Sequence, residues 1–161
     1  VEGNFSYRLL SSFSSLYGQS SFFDVNHHNI GFGPLGMKIN VDSIALSRDN
    51  RALYFAPLTG SELLCVDTTL VHAAMCTPDN NDCSQHQRAL ANGVQVVLEN
   101  KPITDGITTD EDGNVWLTAL GHSSIGIWSI FLLRYKLICE MCQVLQSLPC
   151  QALRPPAPNP L

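Results

Sequence analysis

Apolar and polar positions alternate in short runs along this chain, with turn-forming residues between the runs. Val41-Asp42-Ser43-Ile44-Ala45-Leu46 leads through Ser47-Arg48-Asp49-Asn50 to Leu53-Tyr54-Phe55. Alternation with period two sends successive side chains to opposite faces of a pleated strand, and Asp-Asn suits the positive backbone angles of a tight turn. The stretch therefore reads as a β-hairpin. Asp105-Gly106-Ile107-Thr108-Thr109, the turn Asp110-Glu111-Asp112-Gly113 and Val115-Trp116-Leu117 repeat the same grammar. A supersecondary unit recurring after roughly sixty residues marks a repeat architecture.

Each hairpin continues in the same way. A turn of small residues follows, Leu58-Thr59-Gly60-Ser61 or Leu120-Gly121-His122-Ser123-Ser124, and then a third strand, Leu63-Leu64-Cys65-Val66 or Ile125-Gly126-Ile127-Trp128. Val94-Gln95-Val96-Val97-Leu98 adds a β-branched run between the copies, which makes the four-stranded blade of a β-propeller the natural unit. Ile44, Leu46, Tyr54, Ile107 and Trp116 are the expected buried positions. Thr69 to Met75 reads as a short helix inserted at the blade rim, and the Asn/Asp-rich stretch after it as loop. One strand is expected at Phe22-Phe23-Asp24-Val25, with irregular chain around it that includes His27-His28 and the Gly31 to Gly36 segment. In the tail, Leu132, Leu133, Leu137, Ile138, Met141 and Leu145 recur at helical spacing, ahead of a Pro-rich end.

Composition narrows the partners. With 45% apolar and 14% charged residues the 161-residue chain is ordinary globular sequence, and 9 Lys+Arg against 14 Asp+Glu leave a net charge of −5. No basic run interleaved with aromatics is present to neutralise a phosphate backbone, so nucleic acid is not an expected partner. The apolar stretch from Ile125 to Leu133 is interrupted by Gly126 and Ser129 and falls short of the roughly 20 residues of a membrane span. The visible start carries neither the basic nor the apolar region of a signal peptide. Of the six cysteines, Cys76 and Cys83 flank a polar loop that a disulfide would close in an oxidising compartment. Asn4-Phe5-Ser6 is a glycosylation sequon.

The repeat units also carry a family resemblance. Val41 to Ser47, Leu53-Tyr54-Phe55-Ala56-Pro57-Leu58, Asn100-Lys101, Ile103-Thr104-Asp105-Gly106-Ile107, Asp110 to Asn114 and Ser124 to Trp128 are together similar to the major royal jelly protein/yellow family, whose microbial relatives are labelled dopachrome-tautomerase-related. The resemblance implies an all-β fold, a partial six-bladed β-propeller of about two blades with a short helical insertion and an atypical tail. It sets an irregular segment at 1–17, blades over 18–128 and a non-family tail at 129–161. It further implies an extracellular protein that binds a small amine or aromatic ligand in the propeller channel, here in an incomplete form that lacks the affinity of a closed ring. The alternative is an enzyme, a dopachrome-type isomerase or a metal-dependent lactonase.

Asp42 and Asp105 hold equivalent positions where the innermost strand of each blade meets the channel mouth, and Thr104 joins them as a channel-facing candidate. Resemblance to lactonase-type propellers makes the two aspartates candidate ligands for a divalent cation such as calcium, which prefers oxygen donors. The plainer alternative is that each caps its strand by bonding neighbouring backbone amides. Asp49 and Asp112 belong to turns and are expected at the surface. Cys139-Glu140-Met141-Cys142 has no partner motif to complete a zinc site, and the chain has no G-x-S-x-G, P-loop, dinucleotide or H-E-x-x-H signature.

Overall fold

The computed structural model describes residues 9–10, 13–20, 22–25, 28–31, 38–75, 83–129 and 134–140. After a 3-10 turn at Ser14–Leu16, β1 (Phe22–Val25) and β2 (His28–Gly31) form a small antiparallel hairpin. The first blade contains β3 (Val41–Leu46), β4 (Ala52–Pro57) and β5 (Leu63–Asp67), then helices α1 (Thr68–Ala74) and α2 (Cys83–Gly93), and closes with β6 (Gln95–Leu98). The second contains β7 (Ile107–Thr109), β8 (Val115–Ala119), β9 (Ser124–Ser129) and β10 (Arg134–Glu140), with a 3-10 turn at Leu120–His122. Both are four-stranded antiparallel meanders in chain order, and the inner strands β3 and β7 lie against each other. These are two consecutive blades of a β-propeller.

Local chemistry explains the hairpins. Asn50 (φ 58°) and Gly113 (φ 80°) take the left-handed conformation at equivalent places in the two turns, which Asn and Gly tolerate best. In the first turn the Ser47 hydroxyl (2.6 Å) and the Arg51 amide (3.1 Å) donate to Asp49, and the Ser47 hydroxyl foremost holds its carboxyl below the ordinary range. In the second, Asp110 does this work: it accepts from the amides of Asp112 (3.0 Å) and Asn114 (2.8 Å), from Asn114 Nδ2 (2.9 Å) and from Trp116 Nε1 (2.8 Å). Burial alone would raise the Asp110 pKa, and those donors outweigh it. Asp67 caps α1 by accepting from the Thr69 amide at 2.7 Å. Gly93 ends α2 where a side chain would collide with Leu70 of α1, so the helix pair packs closely.

The core lies in two layers, one on each face of the first blade. Between the blades, Tyr54, Ala56 and Leu63 meet Val115, Leu117 and Trp128, with the Tyr54 and Trp128 rings edge to face at 6.3 Å. On the far face Phe55, Leu64 and Val66 are covered by Ala74 and Leu90 of the helices and by Leu9, Leu10, Phe13 and Leu16. The Thr109 hydroxyl donates to Leu46 O (2.6 Å) and Arg48 Nη1 to Glu111 O (3.0 Å), tying the two turns together.

Several expectations need correction. The tail is not helical over Arg134–Glu140: these residues form β10, which completes the second blade by pairing with β9, so the blade runs past residue 128. The free edge of β9 offers backbone partners that outweigh the helical spacing of the leucines. Ile44 and Leu46 are not buried. They are 62% and 46% exposed because they lie on the far face, which the helices and N-terminal segment reach only in part. Tyr54 is buried, Ile107 packs against the inter-blade core and Trp116 is half-buried. The Asn/Asp-rich stretch expected as loop lies outside the described residues, α2 follows it, and β2 continues the expected lone strand into a hairpin. Cys83 is disulfide-bonded, whereas Cys76, His27, the sequon at Asn4 and the Pro-rich end lie outside the described residues. Among the described residues no helix is long and apolar enough to cross a membrane.

The two faces of the first blade should respond differently to truncation. Leu117→Ala, which empties the sealed inter-blade layer, is expected to cost about 2–5 kcal/mol in urea unfolding. Ile44→Ala, at an exposed site, should stay within about 0.5 kcal/mol.

Candidate functional site

At one end of both blades β3 and β7 begin and β4 and β8 end. Asp42 sits in a β-bulge there, since the pairing of β3 with β4 shifts between Val41 and Ser43. A bulge leaves one residue out of the ladder and re-aims its side chain, and Asp42 is exposed with Oδ1 accepting from the Ser43 hydroxyl at 3.2 Å. Asp105 stands at the matching end of the second blade, also exposed. Its orientation is set by Thr118, whose hydroxyl donates to Asp105 Oδ1 (2.8 Å) and accepts from the Asp105 amide (3.1 Å). The carboxylate is thus held in place by its own blade.

Thr104, expected as a channel-facing residue, lies beneath the surface. It is fully buried, its hydroxyl donates to Gly106 O at 3.0 Å and meets the Thr118 hydroxyl at 3.0 Å, and it serves to hold the loop that presents Asp105. Thr118 therefore unites Thr104 with Asp105, while Asp42 belongs to a different setting.

That setting is Lys101, which sequence reading placed in a motif without giving it a role. It follows Asn100 (φ 55°) on the loop between the blades, and its amide donates to Ser61 O at 2.8 Å. The residue is 5% exposed, with Nζ donating to Pro102 O at 3.2 Å. Burial pushes the ammonium pKa down to about 8, and the negative charge of Asp42 counters part of that fall. A lone lysine in a Pro-containing loop was the available signal, but sequence alone does not reveal that the chain folds over it. Among the described residues no three His, Cys, Asp or Glu side chains gather as a metal site.

A separate hollow of about 490 Å³ opens at the opposite end of the first blade, lined by Asp49, Arg51, Tyr54, Cys65, Asp67 and Gln95 among others. Cys65 is a free thiol whose pKa burial pushes up to about 11, so it stays protonated and a poor nucleophile at neutral pH.

No protein-family model matches this chain, and no curated protein matches its sequence. Solved structures that match include regucalcin, a calcium-binding protein of Agrobacterium tumefaciens strain C58, at 17% identity and a TM-score of 0.39. The match covers 69% of this chain and 33% of that protein, so the chain spans a third of its length. The propeller assignment stands on the blade topology.

Lys101 supplies a pH test. Its folded pKa of about 8 lies below the ordinary 10.5, so between those values the unfolded chain holds a proton that the folded chain has released, and stability rises with pH across the window. Below it, the buried ammonium costs stability in full. Lys101→Met is expected to stabilise the fold at pH 7 by about 2–3 kcal/mol relative to the parent. The gain should vanish by pH 10.5, as followed by urea unfolding at each pH.

Proposed function

We propose that this chain is part of an extracellular ligand-binding propeller of royal jelly/yellow type, and that its two blades contribute the acidic rim of a mouth that takes a small aromatic amine. The observation that supports this reading most is the pair of exposed carboxylates, Asp42 and Asp105, at equivalent ends of neighbouring inner strands. A propeller mouth presents loops from several blades to one pocket, and a carboxylate already fixed by its neighbours binds an ammonium group without first losing side-chain freedom. Asp105, held by Thr118, is the anchor. Asp42, whose Oδ1 accepts from the Ser43 hydroxyl, acts as a second acceptor at the rim.

A singly charged amine suits this donor set better than calcium, which takes six to eight oxygen ligands. Here calcium would meet two exposed carboxylates, only one of which, Asp105, is held by a side-chain partner from a neighbouring strand. The disulfide at Cys83 supports an oxidising, extracellular setting.

Calorimetric titration of the 161-residue chain with tyramine is expected to show weak binding, with Kd in about the millimolar range because only part of the mouth is present. Asp105→Asn should weaken it severalfold and Asp42→Asn less. The uncharged analogue 4-ethylphenol should bind more weakly and ignore both substitutions. Equal binding of the two compounds, or a calcium-dependent rise in melting temperature abolished by Asp105→Asn, would overturn the amine reading.

A further inference from the structure

The hollow at the end of the first blade away from Asp42 and Asp105 is walled by that blade and its helices. Tyr54, Cys65 and Gln95 are cross-strand neighbours in a row over β4, β5 and β6, and Ala52 and Asp67 form the next pair along. The turn carrying Asp49 and Arg51 closes one side, and Leu70 of α1 with Gly93 at the end of α2 closes another. The enclosed space of about 490 Å³ is in the range of small-molecule sites. Tyr54 and Cys65 lie on the face that the second blade already meets, so the hollow does not belong to an outer face awaiting a further blade.

Two features of its walls point to a ligand. Tyr54 is 3% exposed, yet its hydroxyl makes no hydrogen bond among the described residues, whereas a buried phenol ordinarily finds a partner. Burial foremost raises its pKa, and Cys65 and Asp49 add to the rise, so the hydroxyl lies within electrostatic reach of two other walls of the hollow. The second feature is the mixed charge of the rim. The Ser47 and Thr69 hydroxyls foremost hold the Asp49 and Asp67 carboxyls below the ordinary range, so both are negative at neutral pH and repel an anion. Arg51, whose charge acts on both carboxylates, repels a compact cation placed between them. Each carboxylate gives Oδ1 to its own turn or cap, which leaves Oδ2 to accept, and the exposed Arg51 and Gln95 side chains are donors.

We propose that this hollow binds a neutral polyhydroxyl compound, a sugar or sugar alcohol. One ligand hydroxyl meets Tyr54 Oη at the floor, and others bridge Arg51 and Gln95 to the outer oxygens of Asp49 and Asp67. Such a ligand carries donors and acceptors on every side and no net charge, which is what a floor and rim of this kind accept. The inference is independent of the amine reading, because none of these residues lies at the strand ends that carry Asp42 and Asp105.

The test is a titration of the isotope-labelled 161-residue chain, followed by nuclear magnetic resonance, with D-glucose and with sorbitol. Cyclohexanol, methylammonium and methyl phosphate serve as comparators. At least one of the two polyols is expected to move the amides of Arg51, Cys65 and Gln95 in a saturable way, and the comparators are not. Tyr54→Phe keeps the ring that packs on Trp128 and removes only the hydroxyl. It should weaken polyol binding by about three- to tenfold, the worth of one hydrogen bond, without lowering the melting temperature. Gln95→Ala, at an exposed position, should weaken binding as well. No saturable shift with either polyol, equal binding of any comparator, or polyol binding indifferent to both substitutions would overturn the proposal. So would a marked loss of stability in Tyr54→Phe, which would mean that the hydroxyl already has a partner within the chain.

Discussion

The packing of Tyr54, Ala56 and Leu63 against Val115, Leu117 and Trp128 is the contact on which both blades depend. A four-stranded meander has two faces and cannot bury either by itself, so each blade needs a neighbour of matching shape. The inter-blade layer supplies that neighbour for one face of each. It also fixes the side-by-side arrangement of β3 and β7, which brings Thr109 to the Leu46 carbonyl and Arg48 to the Glu111 carbonyl. The relative placement of the two inner strands therefore rests on apolar packing some distance from their ends.

The arrangement of the strand ends that carry Asp42 and Asp105 follows from that constraint. Because the two blades repeat with the same register, the residue that opens the inner strand of one has a counterpart at the same end of the other. Asp42 and Asp105 fill those places, but they are not held alike. Asp105 is fixed within its own blade by Thr118 and, behind it, by buried Thr104. Asp42 is turned out by a bulge and sits in the field of an ammonium that the inter-blade loop carries inside. Burial of Lys101 opposes stability, so the fold tolerates an internal cation at the point where the blades join.

Much of this was legible in the amino-acid sequence, and the exceptions have physical causes. The hairpins could be read because Asn50 and Gly113 mark left-handed positions and because β-branched and aromatic residues flank them. Face assignment was harder. Ile44 and Ile107 are equivalent in sequence, yet one is exposed and the other packs at the blade junction, since only the second has a blade beside it. The stretch that forms β10 carries leucine spacing suited to a helix, and pairing with β9 decides otherwise. α2 was hidden because Asn and Asp just before it read as loop, although Arg88, Ala89, Leu90 and Ala91 favour helix. Lys101 gave no sign of its burial, which arises where the loop carrying it meets Ser61, forty residues earlier in the chain.

Native-state hydrogen exchange followed by nuclear magnetic resonance tests the central claim most directly. If the inter-blade layer holds both blades, the slowest amides of β4, β5, β8 and β9 should share one opening free energy and lose protection together as denaturant is added. Protection in β8 and β9 that is lost well before that in β4 and β5 would show that the second blade stands without the first, and would contradict the account.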